Sequence, residues 1–318
     1  MKLTRFATAL ACAALLGACS SPSSAPAASQ SAGGTAAAQS LDAAAADVET
    51  PTYTRIVAVT SETADMAMML VGPENMAAIS ASSQNPKVGL DPDLAAKATN
   101  TLPPGVNPDA EQILAYEPDV VLLTARHGGE KSVDAQLKAA GVNVLEFSND
   151  DFNTPERYAV TLREVGKTLG APRKAERIAA DYERRIADID AMKGEKTPRT
   201  MALMARGGQV MAMGAENTIP ALAIRAGGVD AAQEAGLTAT APIDAELVVR
   251  AAPDIVFVED FMGAGMGPFQ ELLSNPALAE VPAVKNKRIV LLPMNEASAV
   301  AGTNLPLGYE KIMTEVHR

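Results

Sequence analysis

Cysteine, histidine and positive charge are all in short supply in this chain of 318 residues. The two cysteines, Cys12 and Cys19, lie near the N-terminus, so no disulfide framework, cysteine zinc cluster or catalytic thiol is available to the folded part. Histidine occurs only as His127 and His317, whereas a bare zinc or manganese carrier needs several histidines and carboxylates together. The net charge of −11 argues against nucleic acid as a partner, because phosphates require stripes of lysine and arginine.

The N-terminal segment has the organisation of a secretory signal rather than of a membrane span. Two basic residues precede an apolar run over residues 6–16, and small residues then lead to Cys19. The following stretch is mostly Ser, Ala, Pro and Gly, and it has too few large apolar side chains to fold. We therefore predict a signal over residues 1–19 and a disordered tether over residues 20–52.

One sequence pattern occurs twice in the rest of the chain. Residues 109–121 read DAEQILAYEPDVV, and residues 244–256 read DAELVVRAAPDIV, an offset of 135 residues. Each copy predicts a short helix that stops at Pro-Asp and is followed by a buried strand. A period this long is unlike that of a solenoid, so the repeat indicates two similar α/β lobes.

Details of the two repeat helices can also be predicted. We expect Asn107 at the N-cap of the first helix and Pro108 at its first position. The apolar stripes are expected at Ala110, Ile113 and Leu114 in the first copy and at Ala245, Val248 and Val249 in the second. Glu111 and Glu246 occupy equivalent positions away from these stripes, so we expect both to face solvent.

Strand and helix patterns alternate on either side of a long helical region. The alternation over residues 53–150 and 196–318 predicts two lobes with mostly parallel sheets and helices on both faces. Residues 151–195 are helical in pattern, with an interruption at Gly170-Ala171-Pro172 that predicts two segments or one kinked helix. The predicted fold class is therefore α/β, with two βα lobes joined by a long inter-lobe helix and a ligand in the cleft between them.

The loops after the two repeat strands are the first places to look for a ligand, because parallel sheets bind ligands beyond the carboxyl ends of their strands. Arg126 and His127 follow the first strand, and the repeat offset relates His127 to Met262 after the second. A lone histidine in a loop is usually a polar surface residue. The position of His127 after a central strand nevertheless makes it a candidate ligand.

Methionine is abundant, with 14 residues in the chain. Most are expected to be adaptable core packing rather than ligands. Those near predicted strand ends are Met201, Met204, Met211, Met213, Met262, Met266 and Met294.

Two βα lobes on a lipid tether resemble the substrate-binding lipoproteins of bacterial ABC importers for haem, cobalamin and ferric siderophores, which are periplasmic binding proteins with a helical backbone. The resemblance covers roughly residues 53–318. It is most specific at NPDAEQILAYEPDVVLL and QLKAAGVNV in the first lobe and at AGGVDAA and DAELVVRAAPDIVFV in the second. The Leu-Gly-Ala-Cys ending of the signal resembles a lipobox, which implies acylation of Cys19 and a location outside the cytoplasm, anchored to the membrane by lipid only.

The resemblance also implies partners and docking residues. It implies delivery of the ligand to an ABC permease with its ATPase, by a monomer. In relatives, glutamates that match Glu111 and Glu246 dock onto basic residues of the permease. The simpler alternative for both residues is a solvated acid that favours the helix dipole.

Within this family the second lobe looks closest to the haem carriers, so haem is the expected transported ligand. Some of these carriers place a ligand tyrosine before x-Arg-Gly, where this chain reads Met204-Ala205-Arg206-Gly207. We therefore expect His127 as an axial ligand of the haem iron, and the second axial ligand stays open between Met204, Met262 and none. Arg126 and Arg206 are expected either to pair with carboxylates of the ligand or simply to add solubility.

Three other functions compete with haem capture. A ferric siderophore or cobalamin carrier would use the same scaffold, although such sites often lean on aromatic walls and this chain has no Trp, five Tyr and six Phe. An enzyme is not expected, because G-x-S-x-G, a phosphate-binding Gly loop with Lys and H-E-x-x-H are all missing. An extracytoplasmic sensor or adhesin would share the anchor but would not need a glutamate on both repeats.

Overall fold

Short aliphatic runs form two sheets in the computed structural model, which describes residues 49–105 and 107–318. The first sheet contains β1 (Ile56–Ala58), β2 (Met76–Ser80), β3 (Thr101–Leu102), β4 (Val120–Thr124) and β5 (Val144–Phe147). The second contains β6 (Arg199–Arg206), β7 (Gln209–Ala212), β8 (Val229–Asp230), β9 (Ala241–Pro242), β10 (Ile255–Asp260) and β11 (Ile289–Pro293). The expected signal, the lipobox cysteine Cys19 and the tether up to residue 48 lie outside the described residues.

Helices connect these strands on both sides of the central helical region. In the first lobe they are α1 (Ser61–Val71), α2 (Pro92–Ala95), α3 (Ala110–Leu114) and α4 (Gly128–Ala139), and the central pair is α5 (Pro155–Leu169) and α6 (Pro172–Asp190). In the second lobe they are α7 (Thr218–Arg225), α8 (Ala231–Glu234), α9 (Ala245–Ala251), α10 (Gln270–Leu273), α11 (Pro282–Lys285), α12 (Met294–Ala297) and α13 (Leu305–His317). None of the helices among the described residues has the length and hydrophobicity needed to cross a membrane.

The first sheet is entirely parallel, with the strand order β3-β2-β1-β4-β5. The repeat strand β4 lies between β1 and β5, and all five of its residues are buried. A strand with neighbours on both edges and helices on both faces reads as a continuous apolar run, which is the pattern of Val120–Leu123. The prediction for this lobe is confirmed.

The second sheet is mixed, with the order β11-β10-β6-β7-β9 and with β8 paired to β6. Its strands β6 and β7 form an antiparallel hairpin that closes at Gly207 and Gly208, whose φ angles are 58° and 81°. A two-residue hairpin loop with two positive φ angles suits glycine, because a Cβ disfavours that conformation. Mostly parallel pairing was predicted correctly for the two sheets together, but this hairpin was missed even though Gly-Gly between two apolar runs is its signature.

The start of the first repeat helix was predicted wrongly. Asp109, and not Asn107, is the N-cap, since its carboxylate accepts hydrogen bonds from the backbone N–H groups of Glu111 at 2.8 Å and Gln112 at 3.3 Å. Pro108 consequently lies outside the helix. Asp244 caps the second repeat helix in the same way, with the N–H of Leu247 at 2.9 Å, so the repeat extends to the capping carboxylate.

The apolar stripe of the second repeat helix also needs a correction. Val249 is 45% exposed, and Leu247 is buried in its place. Because α9 starts at Ala245, its inward face carries Leu247, Val248 and Ala251, of which Val248 and Ala251 pack in the core of the second lobe. In the first copy Ala110 and Ile113 are buried and Leu114 packs partly buried against the core, as expected.

The central region consists of two helices rather than one kinked helix. Gly170, with φ 85°, ends α5, and Pro172 begins α6. The two helices pack side by side: the ring centroids of Tyr158 and Tyr182 are 5.1 Å apart. The largest hydrophobic cluster includes both of these tyrosines, as well as Ile56 of β1 and Phe257 of β10, so α5 and α6 share one core with both sheets.

Residues 49–52, at the end of the expected tether, contact the turn between α5 and α6. The carboxylate of Glu49 accepts hydrogen bonds from the backbone N–H groups of Arg173 at 2.7 Å and Lys174 at 2.9 Å, in the first turn of α6. The N–H of Thr52 donates to the carbonyl of Leu169 at 2.9 Å. This contact supplies an N-terminal cap that Ala171, at the N-cap position, has no side chain to provide.

Candidate ligand-binding site

Two adjoining cavities, of about 520 Å³ and about 430 Å³, lie at the carboxyl ends of strands from both sheets. Residues that line both of them are Arg126, His127, Phe261, Met294 and Val300. Arg126 and His127 follow β4, Phe261 follows β10 and Met294 follows β11, so both lobes contribute walls. Each cavity is within the size range of small-molecule sites, about 300–1,000 Å³. We refer to the two together as the cleft.

Hydrogen bonds hold the backbone of His127 in place, whereas its side chain is exposed. Its N–H donates to Oε2 of Glu130 at 2.8 Å, and the N–H of Arg126 donates to the same oxygen at 2.7 Å. Glu130 is 3% exposed and lies in the first turn of α4, where His127 occupies the N-cap position. The imidazole is exposed and lines both cavities, so a ligand can reach it, and it also takes part in a capping box with the backbone N–H of Glu130.

The two thioethers expected as ligands lie in different parts of the cleft. Met204, which is partly buried, lines the larger cavity with His127, whereas Met262 lines the smaller cavity and is 45% exposed. Met294 lines both cavities, and its Sδ accepts the N–H of Met262 at 3.2 Å. Met213 also lines the larger cavity. Neither Met213 nor Met294 was predicted as a ligand from the sequence, although both directly follow strands.

Arg126 is already engaged by protein groups. Its Nη2 donates to Oε1 of Glu62 at 2.6 Å, and its Nε donates to Oδ1 of Asn149 at 2.5 Å. The Glu62 side chain is only 2% exposed, and it also accepts the hydroxyl of Thr124 at 2.5 Å. Burial raises the pKa of Glu62, but the positive charge of Arg126 and the Thr124 hydrogen bond outweigh it and hold the pKa below its ordinary value. Glu62 is therefore a carboxylate at neutral pH.

Arg206 has a matching arrangement in the second lobe. Its Nη2 donates to Oε2 of Glu259 at 2.6 Å, and the Glu259 side chain is 3% exposed. The guanidinium carbon lies 3.7 Å from the ring centroid of Phe261, which is a cation–π contact. Neither glutamate was found from the sequence. A glutamate near the end of a predicted strand looks the same in the sequence whether it pairs with a cleft arginine or is simply a solvated acid at the start of a helix.

Polar side chains occupy much of the remaining lining. The larger cavity has Asn149, Asn153, Asn217, Thr218 and Ser298, and the smaller has Thr60, Ser61, Ser80 and Ser82. Apolar surface comes from the methionines, Phe261 and Val300. The cleft can therefore hold a ligand that is partly apolar and partly rich in hydrogen-bonding groups.

Glu111 and Glu246 lie away from this cleft. Both are exposed, as expected, and each occupies the second position of its short helix, two residues after the capping aspartate. Neither lines the two cavities. The repeat thus presents one solvated acid on each lobe.

Comparisons with known proteins agree with this geometry. The family model described as "Periplasmic binding protein" matches residues 56–296. The ferric-anguibactin-binding protein FatB of Vibrio anguillarum is 22% identical over 191 residues, which is 59% of this chain and 59% of that protein. The chain therefore matches less than two thirds of the length of this curated relative.

Solved structures share the fold over most of their length. The apo form of the periplasmic heme-binding protein RhuT from Roseiflexus sp. RS-1 has a TM-score of 0.71 and 23% identity, covering 83% of this chain and 98% of that one. The periplasmic vitamin B12 binding protein BtuF of Vibrio cholerae has a TM-score of 0.66 and 16% identity, covering 83% and 96%. The family and these neighbours are binding proteins and not enzymes. The chain belongs to the periplasmic binding protein family, whose members are extracytoplasmic.

Proposed function

We propose that this protein captures haem outside the cytoplasm and delivers it to the permease of an ABC importer. The observation that carries the proposal is the exposed imidazole of His127, which lines the two cavities together with thioethers from the other lobe. Imidazole and thioether are an established axial pair for haem iron. A bound haem would supply the iron, and the chain supplies the groups that hold it.

Met204 is the first candidate for the second axial ligand. It shares the larger cavity with His127, and it is less exposed than Met262. Met262 also has a left-handed backbone conformation, with φ 54°, which ties its orientation to a strained turn. Met262 stays the second candidate, and a haem with His127 as its only protein ligand is the third outcome.

Arg126 and Arg206 support the same ligand through their remaining donors. The Nη1 of Arg126 and the Nε of Arg206 have no hydrogen-bond partner among the described residues. Each guanidinium therefore keeps donors for a carboxylate such as a haem propionate after its glutamate is satisfied.

A ferric siderophore is the second candidate ligand. The amide and hydroxyl groups in both cavities favour it, since they suit a chelate with many polar oxygens better than a flat apolar macrocycle. The relative FatB bears the name of a ferric-anguibactin-binding protein. Cobalamin would need the same scaffold, as the name of BtuF indicates for that protein.

Visible spectroscopy separates these ligands. The purified protein should shift the Soret band of haemin on titration, and His127→Ala should abolish or strongly alter that shift. His317→Ala, in the only other histidine, is the matched control and should leave it unchanged. A protein that leaves the haemin spectrum unchanged but quenches its own tyrosine fluorescence with a ferric siderophore or cobalamin contradicts the haem assignment.

Delivery and anchoring complete the proposal. We assign permease docking to Glu111 and Glu246, because the repeat places one exposed acid on each lobe outside the cleft. We assign membrane attachment to an acylated Cys19, on the strength of the Leu-Gly-Ala-Cys sequence. Cys19→Ala should leave the precursor unprocessed or release the protein from the membrane fraction. Processed, membrane-bound Cys19→Ala protein would contradict the anchor.

A further inference from the structure

Each cleft arginine is paired with a glutamate that is almost completely buried. The two ion pairs, Arg126 with Glu62 and Arg206 with Glu259, both have an N–O distance of 2.6 Å. The glutamate side chains are 2% and 3% exposed, whereas the arginine side chains keep 19% and 33% exposure. In each pair the acid is therefore almost fully buried, whereas the base is more exposed, and both residues line the cleft.

The two pairs lie at the strand ends of the two lobes, but only one partner of each pair is equivalent in the repeat. Ile56 pairs with Val120 across β1 and β4, and Thr200 pairs with Ile255 across β6 and β10. Val120 and Ile255 are equivalent in the repeat, so Ile56 corresponds to Thr200. Six residues on from each are Glu62 and Arg206. Glu62 and Arg206 are therefore equivalent and opposite in charge, whereas the offset of 135 relates Arg126 to Phe261 and Glu259 to Thr124. Each lobe still joins the ends of its two central strands with one acid and one base.

This arrangement is costly unless the charge itself has a use. Burying an ion pair usually contributes little to stability, because desolvation of both charges offsets their attraction, and an apolar replacement is often neutral or better. Two such pairs at the strand ends of both lobes, each with its base more exposed than its acid, therefore point to a role in the cleft rather than in folding.

The charge balance of the cleft indicates what that role is. Arg126 and Arg206 are the arginines of its lining, and the acids Glu62, Glu130 and Glu259 also belong to it. Without the glutamates, two guanidinium groups in a partly desolvated cleft would attract polyanions strongly. With Glu62 and Glu259, the arginines still present directional N–H donors but their two formal charges are cancelled, and Glu130 adds one further acid to the lining.

We propose that Glu62 and Glu259 are specificity-determining residues, which cancel the charge of the two cleft arginines so that the cleft takes neutral or weakly anionic chelates and rejects highly anionic ones. This inference rests on the proposed function only in placing the ligand in the cleft. It extends to ferric chelates as well as to haem, because it concerns ligand charge and not the axial bond.

Two probe pairs of matched shape test the charge preference. Ferric tris-hydroxamate and ferric tris-catecholate chelates of similar size hold the same metal but are neutral and trianionic. Haemin and its dimethyl ester differ only in the two free carboxylates. Binding of all four is measured for the wild type, Glu62→Gln, Glu259→Gln and the double variant, with melting curves to verify folding. Glu183→Gln, which weakens the surface pair with Arg163 (2.6 Å), is the matched control.

The inference predicts a gain of binding on removing a buried acid. Each single Gln variant should bind the trianionic chelate and haemin about tenfold more tightly, equivalent to about 1.4 kcal/mol, and the double variant more tightly still. Affinities for the neutral chelate and the dimethyl ester should not change, nor should any affinity of Glu183→Gln. If a Glu variant does not fold, Arg206→Gln tests the same charge effect in the opposite direction and should bind the anionic probes more weakly.

The two proposals fail in different ways. If the wild type binds a ferric chelate and not haemin, the haem assignment is wrong, and the chelate pair still tests the charge inference. If haemin binds as proposed but the Gln variants leave the ratio of anionic to neutral affinity unchanged, or lower it, the charge inference alone is overturned. A failure of every variant to gain binding of either anionic probe overturns it as well.

Discussion

The two lobes build the cleft from the same repeat but with different chemistry. The first lobe contributes the imidazole of His127 and several hydroxyl groups, whereas the second contributes Met204, Met294 and the ring of Phe261. The strand ends have diverged while the strands themselves, and the exposed acid on each repeat helix, have kept their places. The two copies of the repeat therefore differ in the loops that line the cleft and agree in the DAE helix and the strand after it.

The two sheets also differ, in the direction of their strands. The first sheet is all parallel, and the second turns back on itself at Gly207-Gly208, which puts Arg206 at the tip of a hairpin beside Phe261. A parallel strand must leave its sheet through a crossover, whereas a hairpin returns at once. The second lobe can therefore present a side chain at a strand end without a long loop behind it.

The largest effect is expected from the feature that both lobes share, the exposed glutamate on each repeat helix. Replacing both Glu111 and Glu246 with Lys should abolish uptake while ligand affinity stays unchanged, because both acids are exposed and outside the cleft. Transport assays in whole cells and titrations of the purified protein measure the two effects. The pair Glu271→Lys and Glu310→Lys changes the charge equally at other exposed sites and should transport normally. Normal uptake by the repeat double variant would contradict docking.

The next largest effect should differ between His127 of the first lobe and Met204 of the second. If His127 is the axial ligand that we propose, His127→Ala should weaken haem binding by more than the roughly 10–100-fold that loss of an outer-shell partner costs. Met204→Leu, which nearly conserves volume, should turn the iron high-spin with a smaller loss of affinity. Absorption and electron paramagnetic resonance spectra distinguish the two. If Met262→Leu changes the spin state and Met204→Leu does not, the second ligand is Met262.

A pH effect should arise in the first lobe alone, from an acid one turn beyond Glu62. Burial, with the negative charges of Glu62 and Asp91, raises the pKa of Asp65 to about 7, although the N–H of Leu90 donates to its Oδ2 at 3.1 Å. The Oδ1 is buried without a partner among the described residues. The folded pKa lies above the unfolded value, so the proton stabilises the fold at low pH and this stabilisation is lost as the pH rises through about 7.

Stability should therefore fall by on the order of 2 kcal/mol between about pH 5 and about pH 8, measured by denaturant unfolding. Asp65→Asn keeps the side-chain shape without the ionisation and should flatten this slope. An equal slope in the wild type and in Asp65→Asn would show that another group is responsible.

The smallest effect tests the hairpin. Gly208 and Gly141 both have φ 81°, and neither has an atom within 4 Å of an added Cβ, so Ala at either site costs about 1–2 kcal/mol of backbone strain alone. Of the two, only Gly208 lies in the hairpin that carries Arg206 of the cleft. Gly208→Ala should therefore weaken ligand binding as well as lower the melting temperature, whereas Gly141→Ala should lower the melting temperature only. Equal ligand affinities in the two variants would show that the conformation of the hairpin does not contribute to ligand binding.

The sequence predicts most of the frame because each of its elements carries a local signal. The repeat strand Val120–Leu123 is apolar throughout, and Gly170-Ala171-Pro172 cannot continue a helix, so both features could be located from the sequence. The helix start was misplaced because Asn107 and Asp109 are both good caps, and only the three-dimensional path decides between them. Val249 was misassigned because a seven-residue helix fits more than one apolar stripe.

The site could be predicted only in part. The positions of His127 and Met204 follow from strand ends, which the pattern reveals. The pairing of Arg126 with Glu62 spans 64 residues along the chain, and that of Arg206 with Glu259 spans 53. Such contacts depend on which strands become neighbours, and no local pattern contains that information.

The contact of Glu49 with the first turn of α6 is the point at which a pulling force on the preceding residues would act on the folded part of the protein. Any pull on the chain upstream is transmitted first to the turn between α5 and α6, whose residues line neither cavity of the cleft. Because these two helices share one core with both sheets, the load would be spread over that core. If Cys19 anchors the chain as proposed, tension in the residues before Glu49 would therefore act on the protein away from the walls of the cleft.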